Sequence, residues 1–371
     1  MTTIARYINL LLVKRLAVVL FAIWGFASVF DLLDAIDDVT KDAEFPVLSV
    51  LAYLAVRAPS LLSQILPVIA LLGGLYFITD LMRNHELMVI WSMGRSTRQV
   101  IIKLMPVLVL LAAGKFVLDD QLVPRSVEML REWKVGAFKR TEIVGSSGNE
   151  IWLKSGRDIV RVGGEADQAE GILNDVTLFI RDDAGRLTQR VDAVRAQLID
   201  DNLWQLLQAR ISGRGALTAD DDGSVVWRGW IDLGHITLLA RPARELMLLD
   251  QWRIIQADGF SIRAIDPYVT WLNHRLAGSL IPSLLLALVL ALARSFSRSG
   301  NAMAIFVPAI AVGFSFLIIN GVVIAIGEVG VVPPVLAAWG PVALLFTLIS
   351  ILLLRTNRLS AMRLVPSSGS S

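Results

Sequence analysis

Apolar and polar stretches alternate along the chain so that two blocks of three long apolar runs enclose a polar middle. The runs cover residues 8–30, 61–81, 100–118, 272–293, 302–326 and 335–354. Each is close to the ~20 residues that an α-helix needs to cross the hydrocarbon core of a bilayer. The pattern predicts six membrane-spanning helices, three within residues 1–118 and three within residues 267–358, and it argues against an ordinary soluble domain.

The polar middle, residues 119–266, has the short apolar runs and turn residues of an all-β domain. Residues 151–153 and 159–162 flank Ser155-Gly156-Arg157, which is a hairpin pattern. Strands of this length and spacing predict a β-sandwich or jelly roll. The bulky apolar residues expected on its inner face are Leu153, Trp204, Trp227 and Trp230. These residues either fill a core or line a groove for acyl chains.

Two segments that flank the β region have near-helical spacing of apolar residues. They cover residues 119–139 and 245–263. We predict that they are helical stalks between the membrane spans and the β domain.

The amino-acid composition supports a membrane protein and excludes functional sites that depend on cysteine. Apolar residues make up 55% of the chain, against roughly 45–50% in soluble domains, and the mean hydropathy is +0.62. The chain has no cysteine, which excludes disulfides, thiolate metal sites and a cysteine nucleophile. Its three histidines are widely spaced, so we predict no metal site. The net charge of +2 gives no indication of nucleic acid, and we predict no such partner.

The charges of the short loops predict the orientation. Basic residues concentrate before span 1, between spans 2 and 3, between spans 4 and 5, and after span 6, whereas the opposite loops are acidic. Lys and Arg in short loops mark the cytoplasmic side. We therefore predict cytoplasmic termini, with residues 359–371 as a cytoplasmic tail. The β domain is then periplasmic, on a protein of the bacterial inner membrane.

Two local features of the first block allow more than one structure. The apolar residues 45–56 are too few to span and are followed by Arg57 and Pro59, which predicts an interfacial helix that leads into span 2. Pro67 and Gly73-Gly74 lie inside span 2. They indicate either a kink, or close packing against a neighbouring helix, or the ordinary Pro and Gly content of membrane helices.

The connection between spans 2 and 3, residues 82–94, predicts a short amphipathic helix on the cytoplasmic side. Met82, Leu87 and Trp91 lie along one side of it, and Gly94 is placed as a helix stop. Such a helix either docks in a groove of a motor subunit or lies on the bilayer surface. Composition alone favours the bilayer surface.

Several motifs, spread over nearly the whole chain, resemble the permease family LptF/LptG of lipopolysaccharide export. They are PVIALLGG at residues 67–74, Glu86-Leu87, MGRS at 93–96, Arg6-Tyr7, FDLLD at 30–34, Gly313-Phe314 and GVVPPVLAAW at 330–339. The acidic end of span 1 and the last run resemble LptG more than LptF.

The resemblance implies a non-catalytic half-transporter. It would pair with an LptF-type permease on a dimeric LptB-type ATPase, which binds and hydrolyses the ATP, so that this chain holds no cofactor. It would extract lipopolysaccharide from the inner membrane and pass it through a β-jellyroll to LptC and LptA. By the same resemblance, the residues that couple to the ATPase are Asn84, His85, Glu86, Leu87 and Gly94. Those of the substrate cavity are Phe30, Leu33, Asp34, Phe314 and Phe316.

The acidic end of span 1 departs from the family pattern. Members of the family can carry basic residues there, suited to lipid A phosphates, whereas this chain has Asp31, Asp34, Asp37 and Asp38 with Lys41. Either Arg57 and the partner subunit bind the phosphates, or a cation bridges them, or the lipid carries fewer of them. The acidic residues equally fit a role in topology and solvation only.

Two other classes of function fit the sequence less well. A lipid-modifying enzyme needs a Ser–His–Asp or metal cluster, yet His235 is the single histidine of the middle and no Gly-x-Ser-x-Gly motif accompanies it. A membrane-anchored ligand sensor needs neither six spans nor a docking helix. Co-purification with an ATPase separates the permease, of LptG or LptF type, from both alternatives.

Overall fold

The chain forms two compact units, one of residues 1–139 with 270–371 and the other of residues 140–269. The computed structural model describes residues 3–41, 45–84, 86, 97–133, 135, 151–163, 166–167, 171–182, 184–200, 202–213, 215, 217–218, 220, 223–229, 242–256, 265–296 and 305–361.

Most of the first unit is helical, as its apolar runs predict. Its first four helices are α1 (Thr3–Thr40), α2 (Pro46–Arg83), α3 (Thr97–Val117) and α4 (Val123–Glu132), and a π-helical turn, Leu118–Leu122, joins α3 to α4. After the inserted β region and α5 (Leu248–Gln256) come α6 (Asp266–Ser279), α7 (Ile281–Phe296), α8 (Phe306–Glu328) and α9 (Pro334–Ala361).

Five helical segments are long and apolar enough to cross a membrane, namely Ala5–Thr40, Pro46–Arg83, Gln99–Glu132, Phe306–Glu328 and Pro334–Arg355. The pair α6 and α7 passes the same test together, bent by 41° at the break between them. Pro282 is the second residue of α7. It lacks a backbone N–H and clashes with the preceding turn, which explains the break. The described part of the chain thus has the helices of a multi-pass membrane protein, with six spans if the bent pair is one span.

The segment predicted as an interfacial helix leading into span 2, residues 45–56, is helical and continuous with span 2, and its interfacial position stays a prediction. Helix α2 runs without a break from Pro46 through Pro59 and Pro67 to Arg83. Its first turns expose apolar side chains, with Val47 and Leu48 mostly accessible.

Close packing at Gly73 and Gly74 places α2 between two other helices. A Cβ atom on Gly73 would lie 2.7 Å from Leu16 Cδ2 and 3.3 Å from its Cα, on α1. A Cβ atom on Gly74 would lie 2.7 Å from Leu286 Cδ1, on α7. Of the alternatives for this pair, the structure supports close packing, in which the missing side chains let helices approach.

The second unit is built on one antiparallel sheet. Its strands are β1 (Ile151–Ser155), β2 (Asp158–Val162), β3 (Ala166–Asp167), β4 (Ile172–Arg181), β5 (Leu187–Asp200), β6 (Leu203–Leu207), β7 (Arg210–Gly213) and β8 (Val225–Arg228). A short 3₁₀ helix, Ala243–Glu245, and α5 (Leu248–Gln256) follow the strands. The all-β character of the insertion is confirmed, and the jelly roll stays a prediction.

Strands that follow one another in sequence mostly pair with one another, in the order β1-β2-β4-β5-β6-β8. The predicted hairpin forms, with Ser155 opposite Asp158 and Gly156 at φ +60°. Strand β5 is the longest of the described strands, with 14 residues. It pairs with β6 along one part of its edge and with β7 along the next.

The sheet curls so that side chains of its second and last strands, β2 and β8, meet. Trp227 Nε1 on β8 donates a hydrogen bond of 3.0 Å to Asp158 Oδ2 on β2. Leu153, Trp204 and Trp227 are buried, as predicted. Trp230 lies outside the described residues. The narrow apolar cleft left between the inner side chains has an empty volume of about 200 Å³, so the interior is largely filled by the chain itself.

Candidate functional site

The segment predicted to couple to an ATPase begins where α2 ends. Asn84 follows the last residue of α2, and its backbone N–H donates to Asp80 O at 3.1 Å. Its side chain is exposed. Glu86 is also described, whereas His85, Leu87 and Gly94 lie outside the described residues.

Glu86 is held by the first helix. Tyr7 OH donates a hydrogen bond of 3.0 Å to Glu86 Oε1. Two turns further along α1, Arg15 forms an ion pair with Asp80 at 2.7 Å and lies over the Tyr76 ring, 4.8 Å from its centroid. The predicted acidic coupling residue is therefore positioned by α1 as well as by α2.

A third helix joins the same end of the unit. Asn9 Nδ2 on α1 donates to Lys103 O on α3 at 2.9 Å. In the sequence, the basic residues around the start of span 1 served only to predict the orientation of the protein in the membrane. The ion pair by which Arg15 holds α1 to α2 was missed. Asp80 within an apolar helix was the available signal, because a charged residue at such a position usually pairs with another charge.

The three predicted cavity residues of α1 share one exposed face. Phe30 is 55% exposed and Leu33 is 62% exposed. Asp34 is exposed beside them, as the helical spacing i, i+3, i+4 requires. Phe26 extends this face by one turn, with its ring centroid 4.6 Å from that of Phe30.

The two predicted cavity residues of α8 lie on different sides of the helix. Phe314 is 39% exposed, whereas Phe316 is 9% exposed and packs in the hydrophobic core of the helical unit. Residues two apart on an α-helix point about 200° apart, so the two rings cannot share one face. Of the five predicted cavity residues, Phe316 is therefore the one that is buried, and the other four are exposed.

The acidic end of α1 is partly neutralised by α2. Arg57 donates to Asp31 through Nε at 3.0 Å and Nη2 at 2.8 Å, and Tyr53 OH donates to Asp31 Oδ2 at 2.6 Å. A fork of this kind is among the strongest side-chain contacts. A lipid phosphate that binds Arg57 therefore has to compete with Asp31.

The clearest electrostatic shifts of the β unit stabilise its own strands and turns. Asp182 accepts hydrogen bonds from the backbone N–H groups of Arg186 and Ala184, and these hold the pKa of Asp182 below its usual value. Partial burial raises the pKa of Asp192, but Arg190 and Thr177 donate to the carboxylate and bring the pKa below its usual value. Both carboxylates are thus held ionised as structural acceptors.

Comparison with known proteins gives one family and several relatives. Residues 6–355 match the family described as "Lipopolysaccharide export system permease LptF/LptG". The chain is 22% identical to the lipopolysaccharide export system permease protein LptG of Haemophilus influenzae, over 91% of this chain and 93% of that protein. It is 21% identical to the protein of the same name from Escherichia coli strain K12, over 95% of this chain and 98% of that protein.

Proposed function

Because this chain belongs to the LptF/LptG family of lipopolysaccharide export permeases, we propose that it is the LptG-type permease subunit of an ATP-driven transporter. The transporter extracts lipopolysaccharide from the bacterial inner membrane and passes it to a periplasmic protein bridge. The observation that carries the proposal is the extent of the family match, residues 6–355. The match includes the membrane helices and the whole inserted β unit.

The energy comes from a partner. The sequence has no Gly-x-x-x-x-Gly-Lys-Ser/Thr phosphate loop, which supports a separate dimeric ATPase of LptB type. An LptF-type permease supplies the other half of the membrane path, and LptC and LptA receive the lipid. The chain itself carries no catalytic residue and no cofactor.

The proposed topology has six spans, with α6 and α7 forming one bent span. Loop charges favour cytoplasmic termini, which puts the β unit in the periplasm, where we propose that it forms a jelly roll. The end of α2 then faces the cytoplasm, so that Asn84, His85, Glu86, Leu87 and Gly94 are in reach of the ATPase.

The experiment that tests this function is reconstitution. The chain is co-expressed with its LptF-type partner and the LptB-type ATPase, purified through a tag on this chain, and placed in vesicles that contain lipopolysaccharide. We expect the ATPase to co-purify and lipopolysaccharide to be released to added LptC and LptA only with ATP. A chain that binds no ATPase would instead favour the membrane-anchored sensor.

Replacing Glu86 by Ala is expected to weaken binding of the ATPase about 10-fold or more, since losing a hydrogen bond to a charged group costs about 1.5–3 kcal/mol. The measurement is the affinity of the purified permease pair for the ATPase, together with ATP-driven lipopolysaccharide release. The matched control is Tyr7→Phe, which removes only the hydroxyl that donates to Glu86. If Tyr7→Phe causes the same loss as Glu86→Ala, Glu86 acts through α1 and not through the ATPase.

A photoreactive amino acid in place of Phe30 or Phe314 is expected to crosslink to lipopolysaccharide in the working complex, because both side chains are exposed on the proposed cavity helices. Phe346 on α9 is the matched exposed control, and Phe316 is the buried one. We expect crosslinks at the first two positions to depend on ATP. Stronger crosslinking at Phe346 than at Phe30 and Phe314 would show that the cavity lies elsewhere.

A further inference from the structure

Four charged side chains lie together within the helical unit, in segments that are otherwise apolar. Lys115 on α3 contacts Asp119 one turn later, with Nζ 2.5 Å from Oδ2. The same ammonium donates to Ser63 Oγ on α2 at 3.0 Å, and Ser63 in turn donates to Asp119. This half of the cluster therefore joins α2 to the C-terminal end of α3.

The other half joins the π-helical turn to α6. Arg275 Nη1 lies 3.0 Å from Asp120 Oδ1, and the two side chains are only 3% and 10% exposed. Gln121 Nε2 donates to the second oxygen of Asp120 at 2.6 Å. In sequence, Asp120 precedes the β insertion and Arg275 follows it. The ion pair therefore ties together the two helical segments between which the β domain is inserted.

Two neighbouring residues of the π-helical turn contact different helices. Asp119 and Asp120 lie inside Leu118–Leu122, where the backbone is wider than in an α-helix. Side chains of successive helical residues point in different directions, and Asp119 contacts Ser63 on α2 whereas Asp120 contacts Arg275 on α6. Just beyond this turn, Ser126 Oγ on α4 lies 3.1 Å from Ser60 Oγ on α2, with both residues buried.

The charges of the cluster balance one another. Lys115 and Arg275 are cations, Asp119 and Asp120 are anions, and each cation contacts an anion directly. Ionisable residues inside membrane segments are costly and commonly mark a functional site. A neutral, internally paired set has no surplus charge to attract a charged ligand, which favours a role in holding helices over a role in binding.

We propose that this cluster is a fixed joint that keeps α2, α3 and α6 as one rigid block while the transporter cycles. Asp120 and Arg275 are its positioning residues: they keep the two segments that flank the β insertion in register. Rearrangement of the helical unit during transport then occurs at other helices. The inference rests on the proposed function, because it concerns the transport cycle.

The first test locks α2 covalently to α4, the helix that follows α3 after the π-helical turn. The chain has no cysteine, so the double variant Ser60→Cys with Ser126→Cys carries a single possible intramolecular disulfide between α2 and α4. A disulfide needs an S–S distance of about 2.05 Å, and hydroxyl oxygens 3.1 Å apart are near enough for a small adjustment. We expect the disulfide to form on oxidation, and the rate of ATP-driven lipopolysaccharide release to be the same before and after oxidation.

Two results would contradict the proposal of a fixed joint. One is a loss of release on oxidation that reduction reverses, which would show that these helices must move. The other is failure of the two cysteines to react, which would show that the contact does not exist. The single cysteine variants control for oxidation alone. If the cysteine-free chain itself releases no lipopolysaccharide with the ATPase, the proposed function fails, whereas loss confined to the locked variant removes only the joint.

A second readout separates positioning from folding. The variant Asp120→Asn with Arg275→Gln removes both charges of the pair together. We expect it to assemble, but to hydrolyse severalfold more ATP per lipopolysaccharide released. This ratio, measured per assembled complex, does not depend on how much protein folds. An unchanged ratio in the neutral variant would contradict the positioning role.

Discussion

Replacing Arg275 alone by Gln should destabilise the helical unit by about 3–5 kcal/mol, the usual cost of removing one partner of a buried ion pair. Asp120, with a side chain 10% exposed, would keep its charge and lose its direct cation. We expect a lower yield of folded protein in the membrane and a lower unfolding midpoint in detergent. The measurement is denaturant unfolding of the purified chain.

The double variant Arg275→Gln with Asp120→Asn is the decisive control. Removing both charges of a buried pair is often close to neutral, so we expect it to regain most of the lost stability. Arg186→Gln is the exposed comparison, since that arginine is 80% exposed in its ion pair with Asp182, and surface pairs contribute little. A double variant as unstable as Arg275→Gln would mean that the packing of the arginine, and not its charge, matters.

Replacing Trp204 by Ala should destabilise the β unit by about 3–5 kcal/mol, as expected for a large side chain removed from a core. Trp204 is 1% exposed and lines the narrow cleft with Leu178 and Trp227. A cavity opens there because strands paired on both sides cannot collapse into it. Urea-dependent proteolysis of the inserted unit, in the intact protein, measures the loss.

Trp152→Ala is the matched control for this core. Trp152 is half-buried and stacks on Phe179, with ring centroids 5.6 Å apart. An aromatic pair of this kind contributes about 0.5–1.5 kcal/mol beyond its burial, so we expect a much smaller loss. Equal losses at the two positions would indicate that the interior is held open, as a groove for acyl chains would be.

Short sequence patterns were enough to predict the elements that are stabilised by neighbouring residues. Apolar runs of membrane length predicted the long helices, and the turn residues around Gly156 predicted the β1–β2 hairpin. These features depend on the length of an apolar stretch and on the backbone freedom of a few residues, both of which are readable over a short window.

The sequence analysis missed features that depend on contacts between residues far apart in the sequence. The sequence set residues 45–56 apart from span 2 because Arg57 and Pro59 follow them. In the structure α2 continues through both residues, and Arg57 pairs with Asp31 of α1, 26 positions away. The extended β5 likewise depends on β6 and β7, which pair along its edge in succession.

The candidate site shows the same division. Phe314 and Phe316 are alike in sequence, and helical spacing already places them on different sides, but only the packing of neighbouring helices decides which side is buried. Glu86 was found through resemblance, whereas its hydrogen bond from Tyr7 joins residues 79 positions apart.

The sequence by itself thus determined the membrane helices, the inserted β region and the family, because hydropathy and turn chemistry act over neighbouring residues. Only the tertiary structure decided which charges are paired. Lys115 and Arg275 lie inside predicted spans, and Asp119 and Asp120 begin a predicted stalk. The four form one largely buried cluster because helices that are distant in sequence meet there. A buried charge is tolerated only where an opposite charge reaches it, and that partner is fixed by packing in space and not by position along the chain.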